Sequence, residues 1–233
     1  MAQPQTADDR PEPRRQTPRE LARAATLAEA EAIALRQLAE GGVAAISLKA
    51  IAVELGLTGP AIYRYFASRN DLLTELIVDA YHDVAVAIAA AAGDTTGSAH
   101  ERRAAIAQAY RRWALAQPHR YRLLYTAPFP GYDPNAPRLV DASRETMSSL
   151  LDGWAQPGEK ALKPPLTKEL SRQFRDWLTR HDRKDTPELA YRAVVVWARL
   201  HGLVLLEIDG VFASMGVDAD SIFEREIEIL AST

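Results

Sequence analysis

Residues 47–69, SLKAIAVELGLTGPAIYRYFASR, constrain this chain more than any other stretch, because a glycine breaks a helical pattern that resumes within a few residues. Leu48, Ile51, Ala52 and Leu55 follow Ser47 at the i, i+3, i+4, i+7 spacing of one buried helical face, and the serine is placed to cap free amides. Gly56 stands just past the last periodic residue, where a left-handed cap would strain any residue with a Cβ. Leu57 is expected to fill the angle between two helices and Thr58 to cap the second. Pro60 falls in the first turn of that second helix, where its missing N–H costs little.

Over residues 59–66, a rotation of about 100° per residue puts Ile62, Tyr65 and Phe66 on one arc, with Ala61 at its edge. Gly59, Pro60, Tyr63 and Arg64 fall on the other. The first arc reads as core and the second as display. Such a helix is expected to be about 13 Å long, close to the roughly 12 Å width of a DNA major groove. No carboxylate occurs between Leu55 and Asn70, whereas Arg64 and Arg69 do, so this surface can meet phosphate without an internal repeller.

These residues carry a family resemblance. Ser47-Leu48, Ile51-Ala52, Leu55-Gly56-Leu57-Thr58, the run Ala61-Ile62-Tyr63-Arg64-Tyr65-Phe66 and the tail Ser68-Arg69-Asn70-Asp71-Leu72-Leu73 together resemble the helix-turn-helix DNA-binding module of the TetR family of bacterial transcriptional regulators. The resemblance implies phosphate contacts from Ser47 and Thr58 at helix N-termini, phenol contacts to the DNA backbone from Tyr63 and Tyr65, and a charged contact from Arg69. Base reading falls to few groups. Arg64 can pair with guanine O6 and N7, Lys49 can reach a base or a phosphate, and the Gly59-Pro60-Ala61 edge can lie against thymine methyls.

With 233 residues the chain has room for a small module plus a larger domain. Its net charge of −3 excludes a protein that coats nucleic acid by bulk positive charge. Residues 1–70 hold nine basic and eight acidic side chains, which is too even to prove a polyanion partner. Cysteine is absent, so disulfides and thiolate metal sites are too. The N-terminus has charges and prolines where a signal peptide would have an apolar core, and no uninterrupted apolar run approaches membrane-spanning length. A cytoplasmic protein without membrane contact is the expectation.

Along the chain, residues 1–16 read as a disordered arm whose Arg10, Arg14 and Arg15 can follow a minor groove. Residues 17–70 read as a three-helix DNA-binding domain. Its first helix opens at Thr17-Pro18-Arg19-Glu20 or near Thr26, ends at Gly41-Gly42, and faces the motif with Ala28, Ala32, Leu35 and Leu38. Residues 71–233 read as a helical ligand-binding and dimerisation domain. Its helices are expected over 71–92, 99–116, 119–125, 138–155, 166–180, 186–210 and 220–231, with a proline-punctuated loop at 127–137 and a polar break at 156–165. The fold class is all-α.

The segments Gln117-Pro118-His119-Arg120-Tyr121-Arg122-Leu123-Leu124-Tyr125 and Trp197-Ala198-Arg199-Leu200-His201-Gly202 also resemble a C-terminal domain of one branch of that family, marked by its Trp, His and Gly. The resemblance implies a small-molecule pocket and a homodimer through the last two helices. Most aromatic residues lie in this half, and Trp113, Tyr121, Tyr125, Trp197 and His201 are the candidate ligand contacts, suited to an apolar or aromatic molecule.

Catalysis finds no support, because the five histidines are scattered and no phosphate loop or nucleophile motif occurs. No cofactor, metal site or catalytic residue is expected. The chain therefore reads as a repressor that binds a palindromic double-stranded operator as a dimer and leaves it when a small effector binds. The alternative is a helical interaction module whose helix-turn-helix only packs.

Overall fold

The computed structural model describes residues 17–125, 131–154 and 165–231. The expected arm over residues 1–16, with Arg10, Arg14 and Arg15, lies outside them. Among the described residues the regular structure is entirely helical.

The first element, α1 (Pro18–Ala45), starts at a capping box: the Thr17 hydroxyl accepts from the Glu20 amide and the Glu20 carboxylate accepts from the Thr17 amide. Its helical dihedrals stop at Gly41 and Gly42, the latter at φ 67°, where the sequence places its end. The face turned to the core differs from the expected one. Ala30, Ile33, Ala34 and Leu38 are buried, while Ala28 and Ala32 are exposed. Alanine is so frequent here that its spacing carries little phase information, and Ile33 sets the orientation.

Next come α2 (Leu48–Glu54) and α3 (Gly59–Ile62), joined through Gly56 at φ 67°. Then α4 (Arg69–Asp94) begins where the Ser68 hydroxyl accepts from the Asp71 amide. Its expected stripe, Leu72, Leu73, Leu76, Ile77, Ala80, Val84 and Ile88, is buried throughout.

The larger half contains α5 (Ala99–Ala116), α6 (Pro118–Tyr125), α7 (Pro137–Trp154), α8 (Lys168–Arg180), α9 (Pro187–Ile208), α10 (Val211–Ser214) and α11 (Ala219–Ala231). The helix α4 packs against α5, α6 and α7 as well as α1, so one buried cluster runs from Ala30 in α1 to Leu230 in α11. A smaller cluster of Leu151, Leu178, Leu189, Ala190 and Ala193 joins α7, α8 and α9. By length and composition α4 and α9 could each cross a membrane; here both are packed by other helices of the chain.

Ion pairs brace the far end. Buried Arg111 on α5 donates to Glu207 of α9 through Nε at 2.8 Å and Nη2 at 2.6 Å, donates to Asp220 of α11 at 2.6 Å, and stacks over Phe223. A buried guanidinium needs such partners, since unpaired charge in a core is costly.

Candidate nucleic-acid interface and ligand cavity

Ser47 heads α2 with its hydroxyl accepting from the Ala50 amide at 3.3 Å, while its own amide donates to the Gln37 side chain at 2.9 Å. The Ser47 proton therefore remains available to an outside acceptor. Thr58 has the extended backbone of a cap, φ −71° and ψ 151°, yet its side chain makes no capping bond. The expected cap is thus only a backbone one, and the exposed hydroxyl is left for other partners.

The second helix of the motif is shorter than the expected 13 Å segment. Only Gly59–Ile62 is α-helical, and residues 63–65 continue as a turn in which the amides of Arg64 and Tyr65 donate three residues back. Even so, the division of faces follows the expected arcs. Ile62 and Phe66 are buried, Tyr65 is half-buried, and Gly59, Pro60, Tyr63 and Arg64 are exposed. Tyr63 is 58% exposed. Lys49, one helix earlier, is exposed as well. The side chains of Lys49, Tyr63 and Arg64 have no hydrogen-bond or ion-pair partner among the described residues.

Arg69 is placed differently from the expected charged contact. Its Nε donates to the Ile46 carbonyl at 2.8 Å and its Nη2 to the Val43 carbonyl, so the guanidinium clamps the first turn of α4 to the loop between α1 and α2. The Val43 carbonyl already accepts from the Ile46 amide at 3.3 Å, so Arg69 is its second donor and ties the end of α1 to the start of α4. Arg23 of α1, which sequence reasoning missed, donates to the Arg64 carbonyl at 3.2 Å and stands 5.0 Å over the Tyr65 ring. It adds a cation beside the display face from 41 residues away, and no local pattern announces it.

In the larger half the five candidate ligand residues do come together, but not as one lining. Tyr121 of α6 has its hydroxyl 2.7 Å from His201 Nδ1 and 3.3 Å from the Tyr110 hydroxyl. His201 lies edge-on to Tyr125 and stacks with Trp197. Trp113 tilts against Tyr121. Burial lowers the His201 pKa and so favours the neutral imidazole, and the Tyr121 hydroxyl also donates to the His201 carbonyl at 3.2 Å.

The adjoining cavity, about 210 Å³, is lined by Tyr81 of α4, Tyr125 of α6, Thr146 and Arg144 of α7, Trp177 of α8 and Trp197 of α9, among others. Tyr125 and Trp197 thus face it, whereas Trp113, Tyr121 and His201 form the wall behind. Tyr121 and His201 satisfy each other's polar groups instead of presenting them to that space. Arg144, Thr146, Met147, Trp177 and His181 were not expected as lining. They come from α7 and the end of α8, whose register against α4 and α9 no linear pattern shows.

His82 Nδ1 lies 3.2 Å from Glu145. Among the described residues no three His, Asp or Glu side chains are grouped to hold a metal ion.

Two family models match this chain: "Bacterial regulatory proteins, tetR family" over residues 32–76 and "Tetracyclin repressor-like, C-terminal domain" over residues 103–230. The HTH-type transcriptional regulator Rv1816 of Mycobacterium tuberculosis is 32% identical over 203 residues, spanning 84% of this chain and 87% of that protein. Among solved structures, SCO4313, described as a regulatory protein, superposes with a TM-score of 0.75 at 37% identity, covering 93% of this chain and all (100%) of that one. The transcriptional regulator FadR of Bacillus subtilis, solved with stearoyl-CoA, shares the fold with a TM-score of 0.54 at 14% identity, covering 88% of this chain and 97% of that one.

Proposed function

Because the chain belongs to the TetR family of bacterial transcriptional regulators and is therefore a DNA-binding protein of that kind, we propose that it is a cytoplasmic, effector-released repressor acting as a homodimer on a near-palindromic operator. The observation that carries this reading is the pairing of an unobstructed display face, Tyr63 and Arg64, with an aromatic cavity reached by the same helix that holds that face in place. We take residues 17–70 as the reading head and 71–233 as the effector and dimer domain.

Lys49, Thr58, Gly59, Pro60, Tyr63 and Arg64 meet the groove, with Ser47 and Tyr65 at its edge. Ser47, Thr58 and the tyrosines position the head on phosphate, and Arg64 reads a base. Arg69 acts mainly as a strut beneath them. One head of this size covers few base pairs, so two copies are needed, on half-sites about 34–36 Å apart or a multiple of that.

The dimer face is the outer side of α9 and α11. Ala198, Gly202 and Leu206 recur at four-residue spacing on α9, and Leu206 and Ile229 are 40% and 42% exposed. An apolar helix of this kind needs cover on that side. Effector release follows from connectivity. Tyr81 of α4 lines the cavity, and Arg69 at the start of α4 is hydrogen-bonded into the head. A ligand that favours another tilt of α4 alters the distance between the two Arg64 side chains; equal affinity for both tilts would shift nothing.

Selecting bound fragments from the source genome and titrating one against the protein at several salt concentrations tests this reading. Expected are a two-fold-symmetric motif, two chains per site and a steep fall of affinity with salt. A single chain per site, or no enriched motif, overturns it.

A further inference from the structure

We propose that the cavity between α4 and α6–α9 binds a small carboxylate with a flat apolar body, its acid group received by Arg144; this rests on the effector-responsive reading above. The size, about 210 Å³, suits one or two fused rings rather than a large ligand. Four of the lining side chains, Tyr81, Tyr125, Trp177 and Trp197, are aromatic and offer faces or edges to a planar guest.

The polar groups decide the charge of that guest. Among the described residues no Asp or Glu lines the cavity, and Arg144 is the one permanent charge in its lining. The Thr146 hydroxyl donates to the Tyr81 carbonyl at 2.9 Å and the Ser143 hydroxyl to the Val140 carbonyl at 3.0 Å, so both protons are spent on backbone. Arg144 Nε, by contrast, is shielded from solvent and has no acceptor, while its Nη2 reaches Asp141 at 2.9 Å. A shielded donor without an acceptor is a cost that a bound carboxylate removes, and the charge makes that bond a strong one.

His181 adds a second polar contact. Its Nδ1 stands 2.7 Å from the Trp177 carbonyl and therefore carries a proton, which leaves Nε2 as an acceptor for a hydroxyl elsewhere on the guest and not for its acid group, while its ring stacks on Trp177. A second cavity of about 300 Å³ shares Met147 and Trp177 with the first and is otherwise lined by α8 and α9.

The test uses the full chain and calorimetry with benzoate, 3-phenylpropanoate and 2-naphthoate, each against its amide. At least one acid is expected to bind about tenfold or more tightly than its amide, equivalent to roughly 1.4 kcal/mol. Arg144→Gln should bring acid and amide within about threefold by weakening the acid more than the amide, with a melting profile near wild type showing that the variant folds; Arg144→Lys should retain part of the preference. Equal binding of acid and amide, a preference that survives Arg144→Gln, or no acid bound at about 1 mM overturns the proposal. An acid bound through Arg144 without effect on operator affinity supports this site and defeats effector release instead.

Discussion

Ile62 and Phe66 are sealed into the head while Tyr63 and Arg64, between them in sequence, face solvent. Two neighbours can serve opposite purposes only because the turn after Ile62 keeps the helical rotation that separates the arcs. Arg64→Ala should therefore cost about 1–3 kcal/mol at one base-pair position and flatten preference there, whereas Tyr63→Phe should weaken binding to all sequences alike. Fluorescence anisotropy on operator variants separates the two; uniform loss in Arg64→Ala would move that residue to a phosphate. In the body, the Tyr121 hydroxyl serves both His201 and Tyr110. Tyr121→Phe should lower stability by about 1–3 kcal/mol, read by urea unfolding, since the polar groups of His201 and Tyr110 lose a hydrogen-bond partner inside the fold.

The junction of α1, α4 and α6 shows how elements are coupled. Glu31 of α1 is pushed up to about 7, first by burial and then by the nearby Asp79 and Glu75 of α4, against the opposing pull of Arg120 on α6. Arg120 itself donates to Asp83 of α4 at 2.5 Å. The sign follows from the raised value: below the ordinary glutamate range Glu31 is neutral in both folded and unfolded chains, and as pH rises toward 7 the folded chain increasingly resists the charge. Glu31 thus takes stability away as pH climbs from about 4.5 to 7. Glu31→Gln should raise the melting temperature more at pH 8 than at pH 5, measured by calorimetry; an equal change at both would place the glutamate in free solvent.

At the scale of the molecule, α4 joins the reading head to the cavity and α9 carries both a cavity wall and an uncovered apolar side. Gly202 is the point at which the dimer can be tested without harming the subunit, because a Cβ added there meets nothing within 4 Å. Gly202→Phe should leave the melting profile of the monomer near wild type and shift sedimentation toward the single chain. Operator affinity should fall with it, since two linked heads bind far more tightly than one. A variant that stays dimeric would put the interface on another face.

What the residues determined alone was most of what has a local cause, the Thr58 side-chain cap and the length of α3 excepted. Gly56 and Gly42 mark breaks because a positive φ suits glycine, and Ser47, Ser98, Thr167 and Thr186 mark helix starts because their side chains accept from amides three residues on. The stripe from Leu72 to Ile88 likewise fixed α4 and its buried side. Packing across distant segments decided the rest. Arg69 is held as a clamp because the fold brings carbonyls 23 and 26 residues earlier within reach of its guanidinium. His201 turned toward Tyr121, and Arg144 entered the cavity, because helix register in the folded chain is set by the sum of many contacts that no short run of sequence contains.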